Sequence, residues 1–193
     1  MSLPHFFLRE QVLAFESAPV FALHLDADDT KHAKVLRLAV GEHIAVVDDY
    51  FECEIVSFEG DELSVSIAQK LSSYARPEVV LVQGLAKGEK MDAIVRHATE
   101  VGIAEFVPMT TSRSVVKLDA KKSKARFERW ASIAKSAAMQ SGRSSKPVVH
   151  APCSVAGAVD IAKDCDAVLI CWEEAELSST LAEAVSCCIA ATG

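Results

Sequence analysis

The sequence predicts an α/β protein in two parts, a small β-rich unit followed by a parallel α/β unit. Three observations carry this. Residues 43–70 alternate apolar and polar side chains with period two, as half-buried antiparallel strands do. From residue 79 onward, apolar runs alternate with stretches whose apolar residues recur at helical spacing, the pattern of a parallel sheet with crossover helices. Between them LSSYARPE, residues 71–78, carries Ser, Arg and Pro without any period, which marks a linker and a domain boundary.

In chain order, DADDTKHAKVLRL places Asp and Thr where a short helix can be capped. HIAVVDD reads as a strand. FECEIVSF alternates Phe51, Cys53 and Ile55 with Glu52 and Glu54. Phe51 directly follows VVDDY, so a tight hairpin is expected near Asp48–Tyr50. After the turn FEGDEL, ELSVSIAQ alternates Leu63, Val65 and Ile67 with Ser64 and Ser66. Several short strands so close together suggest a small barrel or sandwich.

Beyond the linker, VVLVQGL is a strand covered on both faces. In EKMDAIVRHATEVG, Met91, Ile94, Val95, Ala98 and Val101 keep helical spacing, and Gly102 stops the helix. EFVPM is the next strand. SKARFERWASIAKSAAMQSG is a helix with Phe127, Trp130, Ala131, Ala134 and Ala138 on one face. That spacing makes the two aromatics core residues rather than a base-stacking platform. PVVHAP reads as a third strand, SVAGAVDIAKD as a helix, AVLICW as a fourth strand, ELSSTLAEAV as a last helix and CCIAATG as the start of a fifth strand.

The net charge of -7 conceals a strong asymmetry. Residues 1–86 carry a balance of -8, residues 87–147 a balance of +7 and residues 148–193 a balance of -6. A basic block on an acidic chain points to a local polyanion partner, because each phosphate contact releases counterions. A solvated helix face, KLDAKKSKARFERW, accounts for the same charges equally well. No apolar stretch has the length of a membrane span, and MSLPHFFLREQ has none of the parts of a signal peptide, so a cytoplasmic protein is expected. The six cysteines include no C-x-x-C pair, and most lie in apolar runs. They read as small core residues rather than metal ligands or disulfides, and no metal site is expected.

Standard catalytic signatures are missing. GLAKGEK has the wrong spacing for a phosphate loop, and there is no G-x-G-x-x-G and no G-x-S-x-G. TTSRSVVKL, residues 110–118, follows the strand EFVPM. Open parallel sheets bind ligands beyond the carboxyl ends of their strands, so Arg113 and Ser114 belong on the functional edge. Lys87 follows VVLVQGL and reaches the same edge. MQSGR, with Gln140 and Arg143, ends a helix and lies at the opposite end of its own βα unit, unless the chain folds back or a partner subunit brings it round. Glu173 and Glu174 follow AVLICW, either at the ligand edge or as the start of a solvated loop. Glu100, near a helix C-terminus, needs a cation, and Arg113 would satisfy it.

MSLPHFFL, HAKVLRLAVGE, KGEKMDAIVRHATEVGIAEFVPMTTSRSVVKL, RWASIAKSAAMQSGR and the EEA of WEEA together resemble the RsmE family, the 16S ribosomal RNA (uracil-N3)-methyltransferases of the SPOUT class. The resemblance runs in order from about Pro4 onward and is most specific over Lys87–Val116 and Gln140–Arg143. It implies an N-terminal PUA-like β-barrel that helps hold RNA, over residues 1–72. It also implies a SPOUT-type trefoil-knot parallel α/β domain, over residues 73–193, that binds S-adenosylmethionine and forms a homodimer. The implied reaction is methylation of N3 of one uridine in 16S rRNA of the small ribosomal subunit. The family continues after its fifth strand with a G-P-E-G-G loop, a further strand and a helix that thread the knot. Here the sequence stops at IAATG, with Gly193 in the place of the first Gly. The α/β domain is therefore expected to be incomplete at its C-terminus, and these 193 residues alone are expected neither to bind the methyl donor in the usual way nor to methylate.

In this frame Arg113 and Arg143 are the candidate catalytic residues, stabilising charge on the uracil. Arg37, Lys87, Arg113, Ser114, Gln140 and Arg143 are the candidate RNA contacts, and Glu173 and Gly193 the candidate cofactor contacts. Each has a plain structural alternative. Arg113 could cap a helix, Arg143 could serve a helix C-terminus, Arg37 could form an inter-domain ion pair and Lys87 could be a solvated loop residue. Two rival functions stay open, a non-catalytic rRNA-binding module and a small-molecule nucleotide-binding enzyme. The basic block and the barrel speak against the second.

Overall fold

A computed structural model describes residues 3–8, 10–47, 50–72, 77–114, 118–171 and 180–192, the last five of these by their backbone alone. Two sheets organise the chain. The first has five strands in the order β1-β3-β4-β5-β2. They are β1 (His5–Phe6), β2 (Phe21–Ala22), β3 (His43–Val46), β4 (Phe51–Glu59) and β5 (Glu62–Lys70). β1 lies parallel to β3 and the other pairs are antiparallel.

The alternation places Cys53, Ile55, Leu63 and Val65 in the core with Phe6, Leu13, Ile44 and Val46. Two register shifts in the β4–β5 ladder bend it, as bulges do. Gly60 turns the β4–β5 hairpin at a φ of 64°, where a side chain would be strained. Ile67 falls outside the expected pattern and is exposed, although it pairs with the buried Cys53. In the expected β3–β4 hairpin, Tyr50 has a φ of 56°, while Asp48 and Asp49 lie outside the described residues. The two-residue edge strands β1 and β2 are too short to leave a period in the sequence.

Helix α1 (Ala27–Val35) covers this sheet through Ala33. Asp26 caps it, its Oδ1 accepting the Asp29 N–H at 2.8 Å. The helix ends in a Schellman motif: the Arg37 N–H donates to Lys34 O and the Leu38 N–H to Ala33 O. Glycine normally takes the left-handed position of that motif. Here Arg37 holds it, with φ 55°.

The second sheet is parallel throughout. β6 (Val80–Gly84) pairs with β7 (Glu105–Thr110), and the far side of β7 pairs with β8 (Val148–Val149) and then β9 (Cys153–Ser154). The strand expected at PVVHAP is confined to β8, and a second short pairing, β9, follows it along the same edge. α2 (Lys90–Val101) and α3 (Ala120–Gln140) are the crossover helices, and α4 (Val155–Ala162) follows β9. Met91, Val95 and Ala98 of α2 pack on Trp130 and Ala134 of α3. Gly102 stops α2 at φ 110°. Val101, expected on the buried face, is exposed because it lies in the last turn, past the packed face.

Two expected strands do not form among the described residues. Residues 167–171 of AVLICW form no regular structure, and Val168, Leu169 and Ile170 are exposed. An apolar run becomes a buried strand only where a neighbouring strand offers its ladder, and no described strand does so here. Of CCIAATG, residues 187–192 belong to helix α5 (Leu181–Thr192). A capping box starts that helix: Thr180 Oγ1 accepts the Glu183 N–H, and Glu183 Oε2 accepts the Thr180 N–H. Ala-rich sequence carries it on through the residues that resemble a strand. Among the described residues no helix is long and apolar enough to cross a membrane.

Candidate nucleic-acid interface

Because β6, β7 and β9 are parallel, their carboxyl ends share one edge, and α2, α3 and α4 all begin there. Three helix N-termini give this edge a positive dipole field. Lys87 lies three residues past Gly84, which pairs with Met109, and Arg113 lies four residues past Met109. Both are exposed, and neither joins an ion pair among the described residues. The loop that presents Arg113 is closed by its own hydroxyls. Ser114 Oγ accepts the Thr111 N–H at 2.9 Å, and the Ser114 N–H donates to Thr111 O at 3.0 Å. Ser114, a candidate RNA contact, is therefore committed to shaping the turn that holds Ser112 and Arg113 outward. Ser154 extends the edge by capping α4 through the Gly157 N–H.

Gln140 and Arg143 sit at the other end of the sheet. α3 closes in a Schellman motif with Gly142 at φ 66°, the Gly142 N–H donating to Met139 O and the Arg143 N–H to Ala138 O. Arg143 Nη1 donates to Thr99 O, at the C-terminus of α2, at 3.1 Å. Within one chain the structure thus brings Lys87, Arg113 and Ser114 together and leaves Gln140 and Arg143 apart from them. Glu100 lies on the Arg143 side, in a groove with Arg96, His97 and Gln140 of about 570 Å3. The expected Glu100–Arg113 ion pair does not form, because α2 carries Glu100 back to the amino edge while Arg113 stays at the carboxyl edge. Arg37 is exposed on the first sheet's side, next to Val35 and Leu36, which line the cleft between the two halves. Glu173 and Gly193 lie outside the described residues.

Three positioning groups escaped the sequence reading. Asp92, buried in the first turn of α2, accepts from Arg129 Nη2 at 2.6 Å and from Trp130 Nε1 at 3.1 Å. The Arg129 hydrogen bond holds the Asp92 carboxyl below its usual range. This accounts for Trp130 as a core residue with its polar atom satisfied. Lys135 of α3 reaches across to α1, 2.7 Å from Asp29 Oδ2 and 3.0 Å from Asp26 Oδ2. Burial nevertheless pushes the Asp29 carboxyl up, against the pull of Lys135. His5 is buried in the cleft beside them. An acid at helical spacing beside apolar neighbours, as Asp92 stands beside Met91 and Val95, was the available signal for the first of these. Cys53 is a core thiol pushed up to about 12 by burial, consistent with an inert packing role. Among the described residues no cluster of three His, Cys, Asp or Glu gathers as metal ligands do.

A family model described as "RNA methyltransferase domain" matches residues 74–191. Ribosomal RNA small subunit methyltransferase E of Bacillus subtilis is 34% identical over 82% of this chain, which spans 64% of that protein's length. The same-named protein of Aquifex aeolicus is 33% identical over 63% of this chain, which spans 54% of its length. A crystal structure described as a hypothetical protein superposes with a TM-score of 0.77 at 31% identity, covering 88% of this chain and 71% of that one. Ribosomal RNA small subunit methyltransferase E of Neisseria gonorrhoeae, bound to S-adenosyl methionine, superposes with a TM-score of 0.70 at 24% identity, covering 82% and 65%. That likeness is one of fold. The relatives' names match the resemblance read from the sequence motifs.

Proposed function

Because the chain belongs to the RNA methyltransferase domain family through residues 74–191, we propose that it serves S-adenosylmethionine-dependent methylation of ribosomal RNA, at N3 of one uridine of the 16S RNA in the small subunit. The observation that carries the reading is the joint placement of Lys87 and Arg113 on a sheet edge ringed by three helix N-termini. Such an edge favours anions, as both RNA phosphate and an ionising uracil require. In this reading residues 1–72 act as a PUA-like RNA-binding domain and residues 73–193 as a SPOUT-type methyltransferase domain.

The chemistry on the RNA side follows from the base. Uracil N3–H is a weak acid, and N3 becomes nucleophilic once the proton leaves. The charge then spreads onto the two flanking carbonyl oxygens, where the Arg113 guanidinium offers paired donors. N3 lies on the pairing edge, so the uridine must be unpaired or flipped out. Lys87 grips phosphate beside it. Arg143 points from the opposite edge, so it reaches the same base only from a second copy of the chain, in a homodimer.

S-adenosylmethionine would supply a methyl group made electrophilic by its sulfonium. The described residues do not enclose an adenosyl group at the carboxyl edge. The cavity there, lined by Leu85, Gly88, Met91, Leu118 and Trp130, measures about 20 Å3, the space of a water.

The test is transfer of radiolabelled methyl from S-adenosylmethionine to small ribosomal subunits, with the product nucleoside identified by mass spectrometry. 3-Methyluridine at a single position is expected. A different methylated nucleoside overturns the N3 assignment, and no transfer by the complete protein overturns the reading.

A further inference from the structure

The first three turns of α3 hold Lys121, Lys122, Lys124, Arg126 and Arg129. They begin at the carboxyl edge and lie against the loop that carries Lys87. Leu118, just before the helix, and Arg126 line one small cavity together with Leu85, Ala86 and Gly88. With Lys90, in the first turn of α2, and Arg113, these cations form one strip. The strip, residues 87–92, 113 and 119–129, holds eight cations and four acids, a balance of +4 on a chain of -7, so the remaining residues carry -11.

The acids of the strip do not use up its cations. Asp92 is buried and takes Arg129. Lys122 and Asp119, at 3.2 Å, and Lys124 and Glu128, at 3.9 Å, are exposed pairs, which contribute little and exchange readily for another anion. Lys87, Lys90, Arg113, Lys121 and Arg126 join no ion pair among the described residues. A solvated helix face does not account for the arrangement either. α1, α2 and α5 each place an acid in the first turn, where the helix dipole favours one. α3 places Lys121 and Lys122 there, against its own dipole, and an anion laid across them removes that repulsion.

The same surface narrows the anion. Phe127 is half-buried and Trp130 buried, so the strip offers no platform for stacking a base. None of the exposed large hydrophobic residues belongs to it, so it has no apolar face to sink into a lipid surface. What remains is charge spread along a helix, which suits a phosphate backbone.

We propose that the strip formed by the β6–α2 loop, Arg113 and the first three turns of α3 tracks the phosphates of the RNA strand flanking the target uridine, without reading its sequence. The proposal rests on the RNA reading above and gives the strand a path away from Arg113 along α3.

The experiment measures binding of a single-stranded RNA 12-mer to the full chain over a range of salt concentrations. The variants are Lys121→Gln/Lys124→Gln on the strip, Arg113→Ala, and Lys146→Gln/Lys163→Gln as a control of equal charge change. Lys146 precedes β8 and Lys163 follows α4, both away from the carboxyl edge. In the strip variant the slope of log affinity against log salt should fall by about 1.4, about 0.7 for each lysine, with affinity about tenfold weaker near 0.1 M salt. The control should keep the wild-type slope, and a 12-mer of scrambled sequence should respond as the first does. The unfolding midpoint of the strip variant should not fall, because a purely structural role would move stability and leave the salt slope unchanged. If the double variant does not fold, Lys121→Gln alone decides, with a slope change of about 0.7. An unchanged slope in the strip variant, with binding weakened by Arg113→Ala, overturns the strip and leaves the RNA reading standing. Equal slope changes in strip variant and control overturn it in favour of net charge alone. Binding to vesicles of phosphatidylcholine and phosphatidylserine, in about a 3:1 ratio, with none to RNA overturns both readings in favour of a membrane surface. No RNA binding by wild type likewise overturns both.

Discussion

Asp92 and Trp130 meet across the α2–α3 interface, indole Nε1 donating to carboxylate Oδ1 at 3.1 Å, with the Arg129 guanidinium on the other oxygen. One carboxylate thus satisfies a buried indole and pins the two crossover helices whose N-termini form the candidate edge. Asp92→Ala should leave the indole N–H buried without an acceptor and lower stability by about 2 kcal/mol. Urea unfolding measures this. Arg129→Ala removes an exposed partner and should cost clearly less.

The same carboxylate sets an acid limit. Arg129 holds the Asp92 pKa below its ordinary value of 3.8. A depressed folded-state pKa contributes stability that is present above the unfolded value and lost as pH falls through the folded one. Stability should therefore drop as pH falls from about 4 toward the lower folded-state pKa. Asp92→Asn should lose part of that acid dependence. An unchanged pH profile in Asp92→Asn would assign it to other carboxylates.

Lys135 joins the two halves of the chain. Its removal leaves Asp29 on the cleft wall without its cation, and Asp29 is already disfavoured as an anion by burial. Lys135→Met should cost about 3 kcal/mol. Combining it with Asp29→Asn should recover part of that loss, because the stranded charge is gone. Additive losses in the double variant would contradict the coupling.

Arg37 occupies a left-handed C-cap that favours glycine. Arg37→Gly should raise stability by about 1 kcal/mol and, in the proposed function, weaken RNA binding. A residue kept for stability alone would give the opposite sign in the first measurement. One kept for neither purpose would leave RNA binding unchanged.

Arg113→Ala in the complete protein should slow methyl transfer by about a hundredfold while the unfolding midpoint stays unchanged. Normal turnover would remove Arg113 from the charge-stabilising role.

Much of this was legible from side-chain period. Cys53, Ile55, Leu63 and Val65 announced their core positions, Gly102 announced a helix stop, and TTSRS after an apolar run announced an edge. The misses have distinct physical causes. Val168–Ile170 is apolar enough for a strand, but strands need a neighbour, and a sequence does not display neighbours. CCIAAT is ambiguous as a short apolar run, and the capping box four residues before Ala184 decides for helix. Lys135 pairs with Asp26 and Asp29 across more than a hundred residues, so no local spacing signals it. Glu100 and Arg113 stand close in sequence yet at opposite ends of a sheet, because strand β7 runs between them.

In the proposed function the Lys135 bridge also bears on how two weak RNA grips, at Arg37 and at the sheet edge, add. Joined by a floppy tether, two modules would face each new ligand contact with a fresh search, and their joint affinity would carry an effective-concentration penalty set by tether length. Here α1 is clamped to α3, so the separation between Arg37 and the sheet edge is fixed before any strand arrives. The second contact then forms without a further loss of relative freedom. The clamp sets a spacing, so a strand whose contact points do not match it gains from one grip only.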